Sequence, residues 1–210
     1  MSSRYTERLQ WVGLTMLGLV AGLALALPLG VPIFAVVGAM AGTPLVLSIV
    51  GLSLGTAQWP IIRRHFSRSW LWIVASALGM ALGLTVGVTL VEQIGRALVG
   101  GPVNFRMLGV AGRSLSFGVI GVVGGGSLGF AQWLVLRVHA RDCKAWIGIN
   151  AWSLGAGLAC GSILADALVL RAGTLASTAV LLLMGSSIAG AFTARVLAQI
   201  FSKPDRRVSV

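Results

Sequence analysis

Apolar residues run through most of the chain in long stretches that do not alternate with polar ones, and short segments containing Arg and Lys interrupt them. A membrane-crossing helix needs about 20 mostly apolar residues. Barrel strands would alternate, and in lipid a helix satisfies its own backbone hydrogen bonds. The pattern therefore predicts an all-α polytopic membrane bundle of about six transmembrane helices, over 9–29, 33–62, 70–94, 108–136, 145–170 and 174–201.

The second stretch is longer than one straight span requires, and it contains a proline. Because proline lacks an N–H and clashes with the preceding turn, it kinks or breaks helices. We therefore expect a kink or break at Gly42-Thr43-Pro44.

The first stretch has an alternative interpretation as a signal peptide. Arg4 and Arg8 precede an apolar run that contains Ala24-Leu25-Ala26, a pattern typical of a cleaved leader. Cleavage would leave five spans and an N-terminus outside. The length of the run and its regularly spaced small residues favour a retained span.

The overall composition agrees with a membrane protein. Residues of the AVILMFWYC set make up 57% of the 210 residues, and charged residues only 10%. Soluble proteins carry about 25% charged residues. A water-soluble fold, a disordered tail and a disulfide scaffold are thereby excluded.

The charges predict the orientation of the chain. Sixteen Lys and Arg against five Asp and Glu give a formal net charge of +11. Most of the basic residues fall at the chain ends and in two of the loops, and basic residues concentrate on the cytoplasmic side. We expect a multi-pass protein of the bacterial inner (plasma) membrane with both termini in the cytoplasm. We expect no nucleic-acid partner, since no basic surface with interleaved aromatics is present.

An internal repeat is the strongest signal in the sequence. The segment 51–92 aligns without gaps to the segment 125–166, with an offset of 74 residues and sixteen identical positions out of forty-two. The match includes Gln58-Trp59 and Gln132-Trp133. It predicts a tandem two-helix repeat whose copies lie in parallel orientation about a pseudo-twofold axis along the membrane normal.

The repeat divides a single transmembrane domain, residues 1–210, into four parts. Residues 1–30 form the first span, 31–104 the first repeat, 105–173 the second repeat, and 174–210 the last span with a basic tail.

The repeated motif G-x3-G-x2-Q-W-x3-R resembles a group of uncharacterised bacterial multi-pass membrane proteins with tandem helical hairpins of this kind. The resemblance covers residues 51–166 best and implies the hairpin fold without implying an activity. The residues that carry it are Gly51, Gly55, Gln58, Trp59 and Arg63, then Gly125, Gly129, Gln132, Trp133 and Arg137.

Glycines recur at intervals of four along nearly every span, which places them on one face of each helix. In lipid, helices associate through close backbone approach, which small residues permit. We therefore expect helix–helix seams at these glycines, with a second subunit, a lipid or a pigment as alternative occupants. The seam residues are Gly51, Gly55, Gly79, Gly83, Gly87, Gly121, Gly125, Gly129, Gly157 and Gly161.

Polar residues at matching depth in the two repeats predict a polar layer of Gln58, Gln132, Ser76 and Asn150. Interhelical hydrogen bonding is the simpler interpretation and a substrate site the alternative. Tryptophans near the same edge fit an aromatic belt. Trp59, Trp133, Trp72 and Trp146 are expected to be interface anchors.

Acidic residues fall near the opposite edge of the spans. Arg96 follows Glu92 by four positions, which suits an ion pair on one helix face. Asp166 has Arg171 nearby in sequence, and Arg113 is a candidate partner for either acid. Ion pairs at the membrane surface are favoured over a proton relay.

No catalytic motif, metal-ligand spacing or phosphate loop is present, and His65 and His139 fall in loops rather than within spans. We therefore expect no enzyme activity, no metal and no cofactor. The expected function is a non-catalytic accessory or scaffold subunit that packs into a larger membrane assembly, or self-associates, through small-residue seams. The alternative is a small transporter or substrate-binding membrane subunit with a polar site on the pseudo-twofold axis.

Overall fold

A computed structural model describes residues 3–100, 108–138, 140 and 143–202. The described residues form helices and no strand, so the all-α prediction is confirmed. The helices are α1 (Ser3–Ile62), α2 (Trp70–Val99), α3 (Val110–Leu136) and α4 (Ala145–Ser202). Five helical stretches are long and apolar enough to cross a membrane: Tyr5–Ile62, Trp70–Leu98, Val110–Leu136, Ala145–Leu168 and Leu183–Phe201.

Helix α1 folds back on itself at Gly38, where the backbone leaves the helical region with φ 74° and ψ 170°. Gly22 lies against the Cα of Val50. A straight helix would hold these two residues about 42 Å apart. Residues 3–37 and 39–62 are therefore two arms of α1 that lie side by side.

The break predicted at Gly42-Thr43-Pro44 is wrong, because the helix continues through Pro44. The Thr43 hydroxyl donates a hydrogen bond to the Ala39 carbonyl at 2.8 Å within that turn. The chain reverses instead at Gly38, since a positive φ is accessible to glycine at little cost.

Helix α4 also reverses direction. Gly157 lies against the backbone of Gly185, and Gly161 against that of Leu181. These contacts require the chain to turn between residues 162 and 180; the side chains of 169–180 lie outside the description. The Ala145–Leu168 and Leu183–Phe201 segments are thus two arms of α4.

The bundle closes because the last arm of α4 packs against the first arm of α1. Gly190 lies against the Cα of Val12, and the indole N–H of Trp11 donates to the Thr193 hydroxyl at 3.0 Å. Going round the bundle, each helical arm contacts the one before it and the one after it. The first and last parts of the chain are therefore neighbours around a common axis.

The two ends of the bundle differ in chemistry. At one end, a buried cluster contains Trp11, Trp72 and Trp146 beside the loops that follow Ile62 and Leu136. The Arg96–Glu92 and Arg113–Asp166 ion pairs lie toward the other end. The basic loops and the N-terminus are therefore at one end of the bundle.

Candidate functional site

Three tryptophans meet at the axis near the basic end. The ring centroids of Trp72 and Trp146 lie 5.8 Å apart, and each lies 6.1 Å from the centroid of Trp11. All three are at most 1% exposed. The prediction that Trp72 and Trp146 are interface anchors is therefore wrong. A tryptophan can be fully buried when its N–H finds an acceptor inside the protein.

The first corner of the site joins Trp72, Gln58 and Thr15. The Trp72 indole N–H donates to Gln58 Oε1 at 3.0 Å. The Gln58 amide in turn donates to Thr15 Oγ1 at 3.0 Å. One glutamine thus links α2 and both arms of α1, and its acceptor and donor groups are both used.

The second corner repeats this geometry 74 residues later. The Trp146 indole N–H donates to Gln132 Oε1 at 3.0 Å. The Gln132 amide donates to Ser76 Oγ at 2.9 Å. Ser76 occupies the position four residues after Trp72, as Thr15 does after Trp11. The two corners are therefore equivalent in both the residues they use and the bonds they form.

The third corner is built from the two ends of the chain. The Trp11 indole N–H donates to Thr193 Oγ1 at 3.0 Å, and the Thr193 hydroxyl donates to the Ala189 carbonyl at 2.7 Å. Asn150 lies four residues after Trp146, so it matches Thr15 and Ser76. Its amide donates to the Trp146 carbonyl at 2.8 Å. Thr193 thus replaces the glutamine of the other corners.

The backbone contacts have the same threefold pattern. Three residues before Gln58, Gln132 and Thr193 stands a glycine that packs on the helix carrying the matching tryptophan. In each case the residue after that tryptophan supplies the Cα that the glycine meets. The pairs are Gly55 with Ile73, Gly129 with Ile147 and Gly190 with Val12. Three equivalent corners therefore surround the axis, whereas the sequence predicts two units about a pseudo-twofold axis.

A second set of close approaches joins each corner to the next. Eleven residues after each tryptophan is a glycine, and a β-carbon there would lie 2.8–2.9 Å from a Cα of the neighbouring arm. Real Cβ atoms essentially never approach so closely. The pairs are Gly22 with Val50, Gly83 with Gly124 and Gly157 with Gly185.

The ten predicted seam glycines all lie against another arm of the same chain. Gly51 and Gly125 are the tightest, since a β-carbon on either would overlap the carbonyl oxygen of Ser76 or Asn150. The other eight meet neighbouring arms within about 3 Å: Gly55, Gly79, Gly83, Gly87, Gly121, Gly129, Gly157 and Gly161. These seams are occupied inside the bundle, so they leave no room for a second subunit.

Two small cavities lie on the axis. One of about 20 Å³ is bordered by polar residues, among them Thr15, Gln58, Gln132, Asn150 and Thr193. The other, about 120 Å³, lies deeper and is lined almost wholly by apolar side chains such as those of Leu23, Leu84 and Leu158. The predicted polar layer thus surrounds the smaller cavity, except that Ser76 does not border it.

Trp59 and Trp133 lie at the rim of the bundle, where both are partly buried. The Arg63 guanidinium lies 4.9 Å from the ring centroid of Trp59, and that of Arg137 lies 5.2 Å from that of Trp133. The Trp59 N–H donates to the Ser69 hydroxyl at 2.8 Å. An arginine guanidinium therefore lies over the ring of each of these two tryptophans at the basic end of the bundle.

Glu92 and Asp166 form ion pairs toward the opposite end. Arg96 and Glu92 approach to 3.5 Å and are half exposed. Arg113 of α3 contacts Asp166 of α4 through two nitrogens, at 2.9 and 3.0 Å, and both side chains are about three-quarters buried. The side chain of Arg171 lies outside the described residues. The second pair joins two helices, and the first stays within one.

A further opening of about 120 Å³ lies at the basic end between the first arm of α1 and the last arm of α4. There His65 Nε2 lies 3.2 Å from the Glu7 carboxylate. The His65 ring stacks on Phe201 at 3.8 Å between centroids. His139 falls outside the described residues.

No protein-family model, curated protein or solved structure matches this chain. Within the described ranges, no group of three or more His, Cys, Asp or Glu side chains is placed to hold a metal ion. The site is therefore defined by its own geometry, which is a ring of uncharged hydrogen-bonding side chains at the centre of a helical bundle.

The sequence does not predict three members of this ring as site residues: Trp11, Thr15 and Thr193. The available signal was the spacing of Trp11, Thr15, Gly18 and Gly22, which matches Trp72, Ser76, Gly79 and Gly83. The interval between these two sets is 61 residues rather than 74. An alignment at a single offset therefore cannot detect it.

Proposed function

We propose that this chain is a non-catalytic integral membrane protein that serves as an accessory or scaffold subunit of a larger membrane assembly. The observation that carries the proposal is the closed interior. Trp11, Trp72 and Trp146 each donate to a neighbouring side chain around the axis, and the two cavities there hold only about 20 and 120 Å³. Such an interior suits a rigid element better than a path for a solute.

The partner surface in this proposal is the outer face, because the glycine seams are already filled. Trp152 is 75% exposed and lies six residues beyond Trp146, which places it about 9 Å deeper along the helix. Tryptophan facing lipid is usually found at the membrane surface rather than below it. The equivalent positions six residues beyond Trp11 and Trp72 carry Leu17 and Leu78.

Photocrosslinking tests the partner. A photoreactive phenylalanine analogue in place of Trp152 should form an adduct with a distinct protein in native membranes. The same analogue at Leu17 or Leu78, which are exposed at the equivalent depth, should react mainly with lipid. Equal adduct patterns at the three positions, or no protein adduct at Trp152, would contradict a subunit docked on this face.

The proposed topology has six crossings in a bacterial inner membrane, with both termini in the cytoplasm. The two arms of α1 and the two of α4 each supply a crossing, and α2 and α3 supply the others. In this proposal the hairpins 51–92 and 125–166 arose by duplication, and the two chain ends form a third, split unit. The shared hydrogen bonds and glycine contacts of the three corners support this. The packing of Trp11 and Gly22 in the bundle favours a retained first span.

Cysteine labelling tests that topology. Arg64→Cys and Val138→Cys should react with a membrane-impermeant maleimide only from the cytoplasmic side, and Gly100→Cys only from the other. The background is Cys143→Ser with Cys160→Ser, which removes the two free thiols. Labelling of positions 64 and 138 from opposite sides would refute parallel hairpins.

A small transporter with a polar site on the axis is the second candidate. The feature that favours it is the cavity of about 20 Å³ among uncharged polar side chains. A transporter that acts alone would give no specific protein adduct at Trp152, so that adduct separates it from the scaffold function.

A further inference from the structure

The third corner of the polar ring differs from the others by one residue. At the first two corners a glutamine accepts from a tryptophan and donates to a hydroxyl. At the third, Thr193 accepts from Trp11 but is too short to reach onward as a glutamine does. Its counterpart across the corner is Asn150, in place of the accepting hydroxyl.

The cavity of about 20 Å³ lies among the three corners, and the third corner borders it. Asn150, Ala189 and Thr193 border it, and so does Trp11. Gln58, Gln132 and Trp146 of the first two corners border it as well. A cavity needs about 10–15 Å³ of this measure to hold one water, together with two to four polar partners. The space is therefore of the right size for one water.

The groups around the cavity supply those partners. The amide nitrogen of Asn150 is used by the Trp146 carbonyl, and no described side chain donates to its amide oxygen. The Thr193 oxygen has acceptor capacity beyond its bond from Trp11. Thr15 accepts from Gln58 and retains its own hydroxyl proton as a donor. Two acceptors and one donor thus border the cavity.

We propose that the third corner is a binding site for a single water molecule, which completes the ring where the glutamine amide is replaced. The site suits water rather than a cation, because the side chains bordering it carry no charge and metal cations such as Na⁺ seek several oxygen ligands. The buried site at Asn150 and Thr193 therefore takes a neutral hydrogen-bonding ligand of one heavy atom.

Replacing the water with a side chain tests the site. In Thr193→Gln the new amide should accept from Trp11, donate to Asn150 and displace the water. Because the displaced water regains its freedom, the melting temperature in detergent should rise by about 2–4 °C. The reciprocal Gln132→Thr, which gives the second corner the form of the third, should lower it. A fall in Thr193→Gln equal to that in Gln132→Thr would overturn the proposal.

A high-resolution structure of the unaltered protein gives an independent answer. Density should appear within hydrogen-bond distance of both Asn150 Oδ1 and Thr193 Oγ1, and should be absent from Thr193→Gln. An empty site, at a resolution that resolves other buried waters, would overturn the assignment. Replacing sodium by choline should leave the melting temperature unchanged; a sodium-dependent rise would show a cation site instead.

Discussion

Gly157→Leu should lower the melting temperature of the purified protein by more than about 8 °C, which corresponds to a loss of at least about 2–4 kcal/mol of unfolding free energy. A β-carbon on Gly157 would already lie 2.8 Å from both the Cα and the carbonyl oxygen of Gly185. The remaining three carbons of leucine would add bulk where the two backbones already meet. The two arms of α4 would have to separate, and their van der Waals contact is the main attraction between helices in lipid.

Gly148→Leu is the matched control on the same helix. Gly148 has nothing within 4 Å of the position its β-carbon would take, so leucine there should leave the melting temperature unchanged or slightly raised, since leucine favours helix more than glycine does. Gly157→Ala should fall between the two. If Gly157→Leu melts at the temperature of Gly148→Leu, the close approach of the two arms is absent.

The glycine spacing made much of this packing predictable, because close approach in lipid requires small residues at regular intervals. The partners were not predictable, since a stripe of glycines says nothing about which helix lies against it. The sequence predicts a seam at Gly157, and its contact with Gly185 depends on the reversal inside α4. Pro44 does not mark the reversal in α1, because helices in bundles accommodate proline, and within α1 only Gly38 has a positive φ.

Only part of the polar ring could be predicted from the sequence. Gln58 and Gln132 stand out because each is followed by tryptophan, and the offset of 74 aligns them. Thr193 shares neither the amide nor the following tryptophan, so its equivalence is apparent only from its bond to Trp11. Trp72 was placed at the membrane surface because it begins an apolar span, but its acceptor, Gln58, lies 14 residues earlier in the chain. Burial here follows from tertiary pairing, which no local pattern encodes.

The same pairing predicts a strong coupling between Gln132 and Trp146. Gln132→Leu removes the acceptor of a fully buried indole N–H, and an unsatisfied buried donor costs about 1–3 kcal/mol. The melting temperature should therefore fall by about 2–12 °C. Gln58→Leu removes the acceptor of the Trp72 indole N–H in the same way. It should lower the melting temperature nearly as much, because the first two corners form the same hydrogen bonds.

The double variant Gln132→Leu with Trp146→Phe should be less destabilised than the sum of the two single variants, by about 0.5–3 kcal/mol. With phenylalanine at position 146 no N–H remains to be satisfied, so the missing amide is no longer felt there. Pairing Gln132→Leu with Trp72→Phe gives the control, since the Trp72 N–H donates to Gln58 instead and Trp72 is linked to Gln132 indirectly, through Ser76 and Trp146. Its effects should come closer to adding. Thermal unfolding in detergent measures these effects. Strict additivity in the first pair would mean that the hydrogen bond from Trp146 to Gln132 is absent, and with it the second corner of the polar ring.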